Sequence, residues 1–340
     1  MNNPQNKPRL LWLDALKGIG ILSIMRVHMM APIELLQSVI YVGAVAMFFV
    51  LAGFHLKRPE NLLPALRGKA LRLLIPYFLY SALLLCVEHR LDSQTLVQML
   101  GVFYARMQLF VPGTADNVSF LVIGNAPMWF LPCMFLAYVW VYGLYFRCFS
   151  LCSKVLTFLG FVLFSACCSY SPVLLPWSLD TSFLCAALII VGYESRCHFL
   201  SGRAVCAGMA FMAWMFLFSF FGGSNISIGA YGAYGALSIV PFMLIAITET
   251  YALASLLQWL ENLRPTRVLA YIGRHSLRLM CIHLVIYLRV FGLIERFFPD
   301  YSENRWVVLP LAFAIIFAVD AVIEWCSRRF RTAIPLVKYL

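Results

Sequence analysis

Repeated apolar runs, each long enough to cross a bilayer, constrain this chain more than any other feature. A hydrocarbon core about 30 Å thick is crossed by about 20 consecutive apolar residues in a helix. We read ten such runs, near 10–31, 38–56, 71–88, 127–147, 154–170, 175–195, 204–221, 235–257, 270–291 and 306–327. Pro176 and Asp180 interrupt the first turns of the sixth. In lipid, backbone polar groups must be satisfied within the protein, so runs of this length fold as helices. Composition agrees, with 62% hydrophobic and only 12% charged residues, against about 25% charged in soluble domains. The expected fold is all-α: a polytopic membrane helix bundle of about ten spans, one membrane domain over 1–340 with a short tail at 328–340.

The basic residues give an independent test. Segments assigned to one side carry Lys7, Arg9, Lys57, Arg58, Arg67, Lys69, Arg72, Arg147, Lys154, Arg196, Arg203, Arg264, Arg267, Arg328, Arg329, Arg331 and Lys338. The opposite loops hold Arg90, Arg106, Arg296 and Arg305. The positive-inside rule then predicts that both termini are cytoplasmic. The net charge of +11 is a topology signal, and it makes anionic membrane lipids the expected partner of the basic loops. No basic–aromatic patch argues for nucleic acid. Val27-His28-Met29-Met30 offers no small-residue cleavage site, so the first helix is expected to be retained. The eleven cysteines fall mostly within spans and lack metal-ligand spacing. They read as apolar filler, with no metal site.

Four ionisable residues, Asp14, Lys17, Arg26 and His28, sit inside the first apolar run. Charges at that depth normally face a protein interior or a water-filled cavity. Ten residues separate Lys17 from His28, about 16 Å along a helix and about 20° around it. The two therefore look along one face, at the reach of a long ligand with an anionic end and a reactive end. Plainer accounts also fit. Asp14 and Lys17 are an i, i+3 pair that can neutralise each other. Arg26 and His28 can reach the far interface, or His28 can be a satisfied interior histidine.

Other segments carry weaker signals. Gly43, Ala44, Ala46, Ala52 and Gly53 would let the second helix pack closely on a neighbour. Lys69 and Arg72 open the third run on one helix face, either as a positive-inside anchor or as a phosphate site at a helix N-terminus. Residues 89–126 form the longest outside segment, with an interfacial helix around Leu96–Leu109 and a turn at Gly113–Asn117. This segment is the natural place for the outer face to meet a substrate. Trp129 reads as an interfacial aromatic. The glycine-rich stretch from Gly222 to Gly235 lacks a phosphate-loop lysine and is not read as a nucleotide motif. His283, in the ninth run, reads as a hydrogen-bonded packing residue and is the next catalytic candidate after His28.

Taken together, these motifs resemble acyltransferase family 3, membrane-bound O-acyltransferases, over about residues 9–327. The resemblance rests on Lys17 and His28 in the first helix, preceded by Leu13-Asp14-Ala-Leu-Lys17-Gly18. It continues in Phe48-Phe-Val-Leu-Ala-Gly53-Phe54, Lys69-Ala-Leu-Arg72, Trp129-Phe-Leu-Pro132 and Gly273-Arg-His-Ser276 with His283. Pro176-Trp-Ser-Leu-Asp180 is similar to the fucose 4-O-acetylase-like branch. Lysine stands at the first-helix basic position and at the first of the paired basic positions, where arginine's bidentate fork is lost. No appended extracytoplasmic hydrolase-like domain is expected.

The resemblance implies transfer of an acyl group, usually acetyl, from cytoplasmic acyl-CoA to a hydroxyl of a cell-envelope glycan or lipid-linked sugar. It implies His28 as catalytic base and Lys17, Lys69 and Arg72 as donor-binding residues. Asp14, Arg26, Trp129, Ser276 and His283 are supporting candidates. Acyl-CoA, acetyl-CoA in the usual case, would be a donor substrate rather than a tightly bound cofactor, and the membrane a bacterial inner membrane. The competing expectation is a transporter or flippase for an anionic or sugar substrate using the same polar path.

Overall fold

Helices form at every expected apolar run. The computed structural model describes residues 10–29, 34–88, 95–114, 123–201, 204–221, 225–232, 234–298 and 305–330. In chain order the helices are α1 (Leu11–His28), α2 (Glu34–Phe54), α3 (Leu62–Glu88), α4 (Thr95–Tyr104), α5 (Phe130–Gly143) and α6 (Leu151–Cys168). They continue as α7 (Leu179–Ser201), α8 (Ala204–Phe221), α9 (Ile239–Trp259), α10 (Arg264–Arg274), α11 (Ser276–Phe297) and α12 (Arg305–Phe330). Short 3₁₀ turns join them, and among the described residues extended pairing is limited to two isolated bridges.

Among the described residues, seven segments are long and apolar enough to cross a membrane: Leu62–Cys86, Ala126–Arg147, Leu151–Cys168, Pro176–His198, Gly235–Trp259, Ser276–Phe297 and Val308–Arg329. The chain is thus an all-helical integral membrane protein. The other three expected runs coincide with α1, which carries Asp14, Lys17 and Arg26, and with the shorter apolar stretches Gly43–Phe54 of α2 and Cys206–Phe218 of α8. Outward-facing apolar side chains such as Leu156, Leu163 and Phe164 on α6, and Val322 and Trp325 on α12, suit a lipid surround.

Two boundaries differ from expectation. α3 begins at Leu62 rather than near 71, so Lys69 and Arg72 lie beyond its first turn. The helix dipole acts only over that turn, so the phosphate-at-a-helix-start argument does not hold for this pair. The ninth run is broken at His275 (φ −98°, ψ 4°) into amphipathic α10 and buried α11. Polar Gly273-Arg-His-Ser276 falls at this break, and Pro265 at the start of α10 suits the first turn of that helix.

Without a hydrophobic drive between helices in lipid, close packing holds the bundle. α1 and α10 cross with backbones touching. A Cβ at Gly273 would lie 1.8 Å from the Asp14 carbonyl oxygen, and one at Gly18 would lie 2.1 Å from that of Leu269. The second helix is close-packed as expected, since Gly53 meets the Ile189 carbonyl of α7, and Gly192 meets the Val50 carbonyl of α2. α4 covers only the first part of the expected interfacial helix, ending at Tyr104 before Ala105 at φ +60°, so Arg106 and Gln108 fall outside it. The turn after it is described to Thr114, with Gly113 at φ +82°. Residues 1–9, 89–94, 115–122, 222–224 and the tail after 330 lie outside the described residues, with the basic, turn and glycine-rich positions expected there.

Candidate functional site

The last turn of α1 brings His28 against His283 of α11. Their Nδ1 and Nε2 atoms are 2.9 Å apart, with ring planes only 20° from parallel. His283 is fully buried, and its Nδ1 lies 2.8 Å from the Leu279 carbonyl oxygen. A carbonyl can only accept, so in the neutral ring His283 Nδ1 carries the proton and Nε2 a lone pair. His28 Nδ1–H then donates to that lone pair, which leaves His28 Nε2 unprotonated. The arrangement orients His28 and sets its tautomer so that Nε2 can take a proton.

The same two helices, α1 and α11, contribute to a cavity of about 350 Å³ with Lys17, Phe48, His55, Lys69, Tyr138 and Arg274 among its lining residues. That volume is in the range of about 300–1,000 Å³ common for small-molecule sites. α1 contributes Lys17, and the α1–α10 backbone contact holds Arg274 beside it. Asp14, almost wholly buried, is 3.4 Å from Lys17 Nζ and 4.0 Å from Arg274 Nε. One carboxylate thus steadies two cations, and the lining keeps an excess of positive charge. Lys69 Nζ sits 3.7 Å from the centre of the Tyr138 ring, a cation–π contact that fixes the ammonium at the cavity wall. Ser276 starts α11 and also lines the cavity. Met280, about one helical turn before His283, lines it too.

Lys17 and Lys69, far apart in sequence, are therefore brought to one cavity. Arg72 is exposed and does not line it, and half-buried Arg26 lies on the last turns of α1. His28 is not among the lining residues. Trp129 lines a different pocket, described below, although its neighbour Phe130 lines this one.

Sequence reasoning did not single out Arg274, His55 or Tyr138 as wall residues, because their elements meet only in the fold. It also missed an ion network between α11 and α12. Arg278 Nε lies 2.8 Å from Asp320 Oδ1, its other arm pairs with Glu324, and His275 Nδ1 is 2.5 Å from Asp320 Oδ2. Ionisable residues within apolar runs were the available signal. Glu249 on α9 is also fully buried against Gly43 of α2.

A family model described as an acyltransferase domain matches residues 10–325. No curated protein and no solved structure matches the chain.

Proposed function

The chain belongs to the acyltransferase-3 family, and from that premise we propose that it is an O-acyltransferase using cytoplasmic acyl-CoA, acetyl-CoA in our reading. The acceptor is a hydroxyl of a cell-envelope glycan or lipid-linked sugar, and the membrane a bacterial inner membrane. The observation that carries this reading is the proton chain from His28 through His283 to the Leu279 carbonyl.

In this scheme the CoA phosphates meet Lys17, Lys69 and Arg274, while the thioester runs up the apolar wall past Met280 toward His28. Charge-assisted contacts to phosphate are the strong ones. His28 Nε2 removes the acceptor hydroxyl proton as the oxygen attacks the thioester carbonyl carbon. The carbon–sulfur bond then breaks, and the imidazolium returns the proton to the departing thiolate, giving the ester and free CoA. The imidazolium keeps its Nδ1–H bond to His283, so charge develops against a fixed acceptor. Ten spans with cytoplasmic termini would put the donor cavity on the cytoplasmic side.

The deciding experiment incubates labelled acetyl-CoA with membranes holding the wild-type chain or His28→Ala, followed by mass spectrometry of envelope glycans. Label in a glycan ester that depends on His28 supports the reading. Movement of an intact sugar or anion across vesicles without acylation would favour a transporter and overturn it.

A further inference from the structure

A second pocket, of about 210 Å³, lies just before the start of α5, bounded by Arg106, Gln108, Trp129, Asn225 and Ser227. Trp129 and Tyr138 bracket the two cavities along this segment, about 13 Å apart by helix rise. Phe130 faces the donor cavity, with its ring centre 6.4 Å from that of Trp129 and nearly perpendicular to it. The 3₁₀ stretch Ile123–Trp129 packs against α11, the helix that carries His283. The pocket thus adjoins both the donor cavity and the element bearing the histidine partner.

Its walls are built from three loops tied together. Val111 N–H donates to the Pro172 carbonyl and Leu174 N–H to that of Leu109, each at 2.8 Å. Arg106 donates to the Leu175 and Ser227 carbonyls and pairs with buried Asp180. Ala105, Trp177 and Ser178, the non-glycine residues with positive φ among those described, all lie at this tie. Such backbone outliers cluster at binding sites.

The chemistry of the lining selects the ligand. The three nitrogen positions of Arg106 are taken up by the loop ties, and its charge is met by Asp180, so the pair presents no spare charge to an anion. What remains is neutral. Asn225 Oδ1 accepts from Ser227 N–H at 3.1 Å and Ser227 Oγ–H at 2.6 Å, which fixes the amide and leaves Nδ2 as a donor. Gln108 adds a second amide, and Trp129 a flat apolar platform. Aromatic rings with one apolar face and neutral hydrogen-bonding groups suit a sugar ring. The volume is below the roughly 300–1,000 Å³ of sites for drug-sized ligands and matches one ring rather than an extended chain.

We propose that this pocket is the acceptor subsite and holds one uncharged pyranose ring of the glycan, with the Trp129–Phe130 pair dividing acceptor from donor. This rests on the acyltransferase reading. The test uses the full chain in lipid nanodiscs without acyl-CoA and a panel of uncharged methyl pyranosides, with saturation-transfer NMR as the readout. At least one glycoside is expected to bind. Asn225→Ala, Gln108→Ala and Trp129→Ala should each weaken it at least fivefold, with Trp129→Phe less severe, while acetyl-CoA affinity confirms that each variant is folded. No binding by any glycoside, or binding unchanged in all the folded variants, overturns the subsite. Wild-type acylation with an unchanged acceptor KM in those variants also overturns it, yet leaves the acyltransferase reading standing. Glycoside binding lost in the variants, with no acylation by wild type under any donor, supports the sugar site and overturns the acyltransferase reading.

Discussion

His28 Nδ1 lies 2.9 Å from His283 Nε2, so a histidine near the end of the first helix is oriented by one that stands 255 positions later. Asp14, the carboxylate in the same helix, is about 21 Å from His28 by helix rise and instead serves Lys17 and Arg274. His28 and the Asp14–Lys17 pair are thus separate units of one helix, each completed by a different partner element.

His28→Ala is expected to lose on the order of 10²–10⁴-fold in kcat, the usual worth of a positioned base. On this scheme His283 would act through His28, as a positioning residue, and His283→Ala should cost on the order of 10–10²-fold, as loss of an orienting partner does. The fall should appear in kcat with donor KM unchanged. Nitrogen-15 histidine NMR should find His28 protonated at Nδ1 in the wild type and mixed between tautomers in His283→Ala. A single unchanged His28 tautomer in that variant would refute the positioning role.

Donor affinity should follow the cavity. Hydrogen bonds to charged groups are worth about 1.5–3 kcal/mol, so Lys17→Ala and Lys69→Ala should each raise the acetyl-CoA Kd by about 10- to 100-fold. Arg72→Ala should change it less, because Arg72 is exposed and outside the lining. Calorimetric titration of the purified variants checks the order. An Arg72 effect equal to that of Lys17 would mean that the donor extends beyond the cavity.

Topology is open to a direct test. Reporter fusions after residue 60 should report cytoplasm and those after residue 113 the opposite side, because basic residues crowd the first segment and not the second. The same side for both would remove the donor-side assignment.

Much of this was legible in the sequence, and what was hidden has separate physical causes. Helix positions follow from the apolar runs, and the Lys17–His28 spacing marked the polar face of α1. The histidine pair was not legible, because a lone histidine in an apolar run gives no sign of what it meets. The break at His275 was hidden by the apolar residues on either side, which average it away in any window. The start of α3 was missed because Arg67 and Lys69 look like loop residues although the helix already runs through them. The Trp129 pocket depends on Arg106 meeting Asp180 across 74 positions, a contact set by tertiary structure.

Glycine contacts give a stability test with an internal control. Gly18→Ala and Gly273→Ala put a methyl group 2.1 Å and 1.8 Å from carbonyl oxygens of the facing helix. Backbone cannot yield as a side chain does, so a cost of about 1–3 kcal/mol is expected from overpacking, together with weaker donor binding as Lys17 and Arg274 move apart. Gly160→Ala and Gly208→Ala meet nothing within 4 Å and should be neutral or slightly stabilising, since alanine is the better helix former. Unfolding in mixed micelles should separate the two classes.

The network on α11 and α12 yields the last prediction. Arg278 is 8% exposed and Asp320 2%, so Asp320→Ala would strand a charge with little water to receive it. Breaking a buried pair from one side costs about 3–5 kcal/mol, whereas replacing both partners with apolar residues is often neutral. Asp320→Ala should therefore unfold more readily than the Arg278→Met/Asp320→Leu double variant, although the double variant has lost more polar contacts. Glu324→Ala should be milder than Asp320→Ala, because Glu324 is 29% exposed at its side chain and shared with exposed Arg328. Asp320 also meets His275, at the joint between Arg274 and Ser276, both of which line the cavity that holds Lys17 and Lys69. Loosening that joint should raise the acetyl-CoA Kd in every folded Asp320 variant. A stable Asp320→Ala protein with unchanged donor affinity would show that the network neither holds α12 nor shapes the cavity.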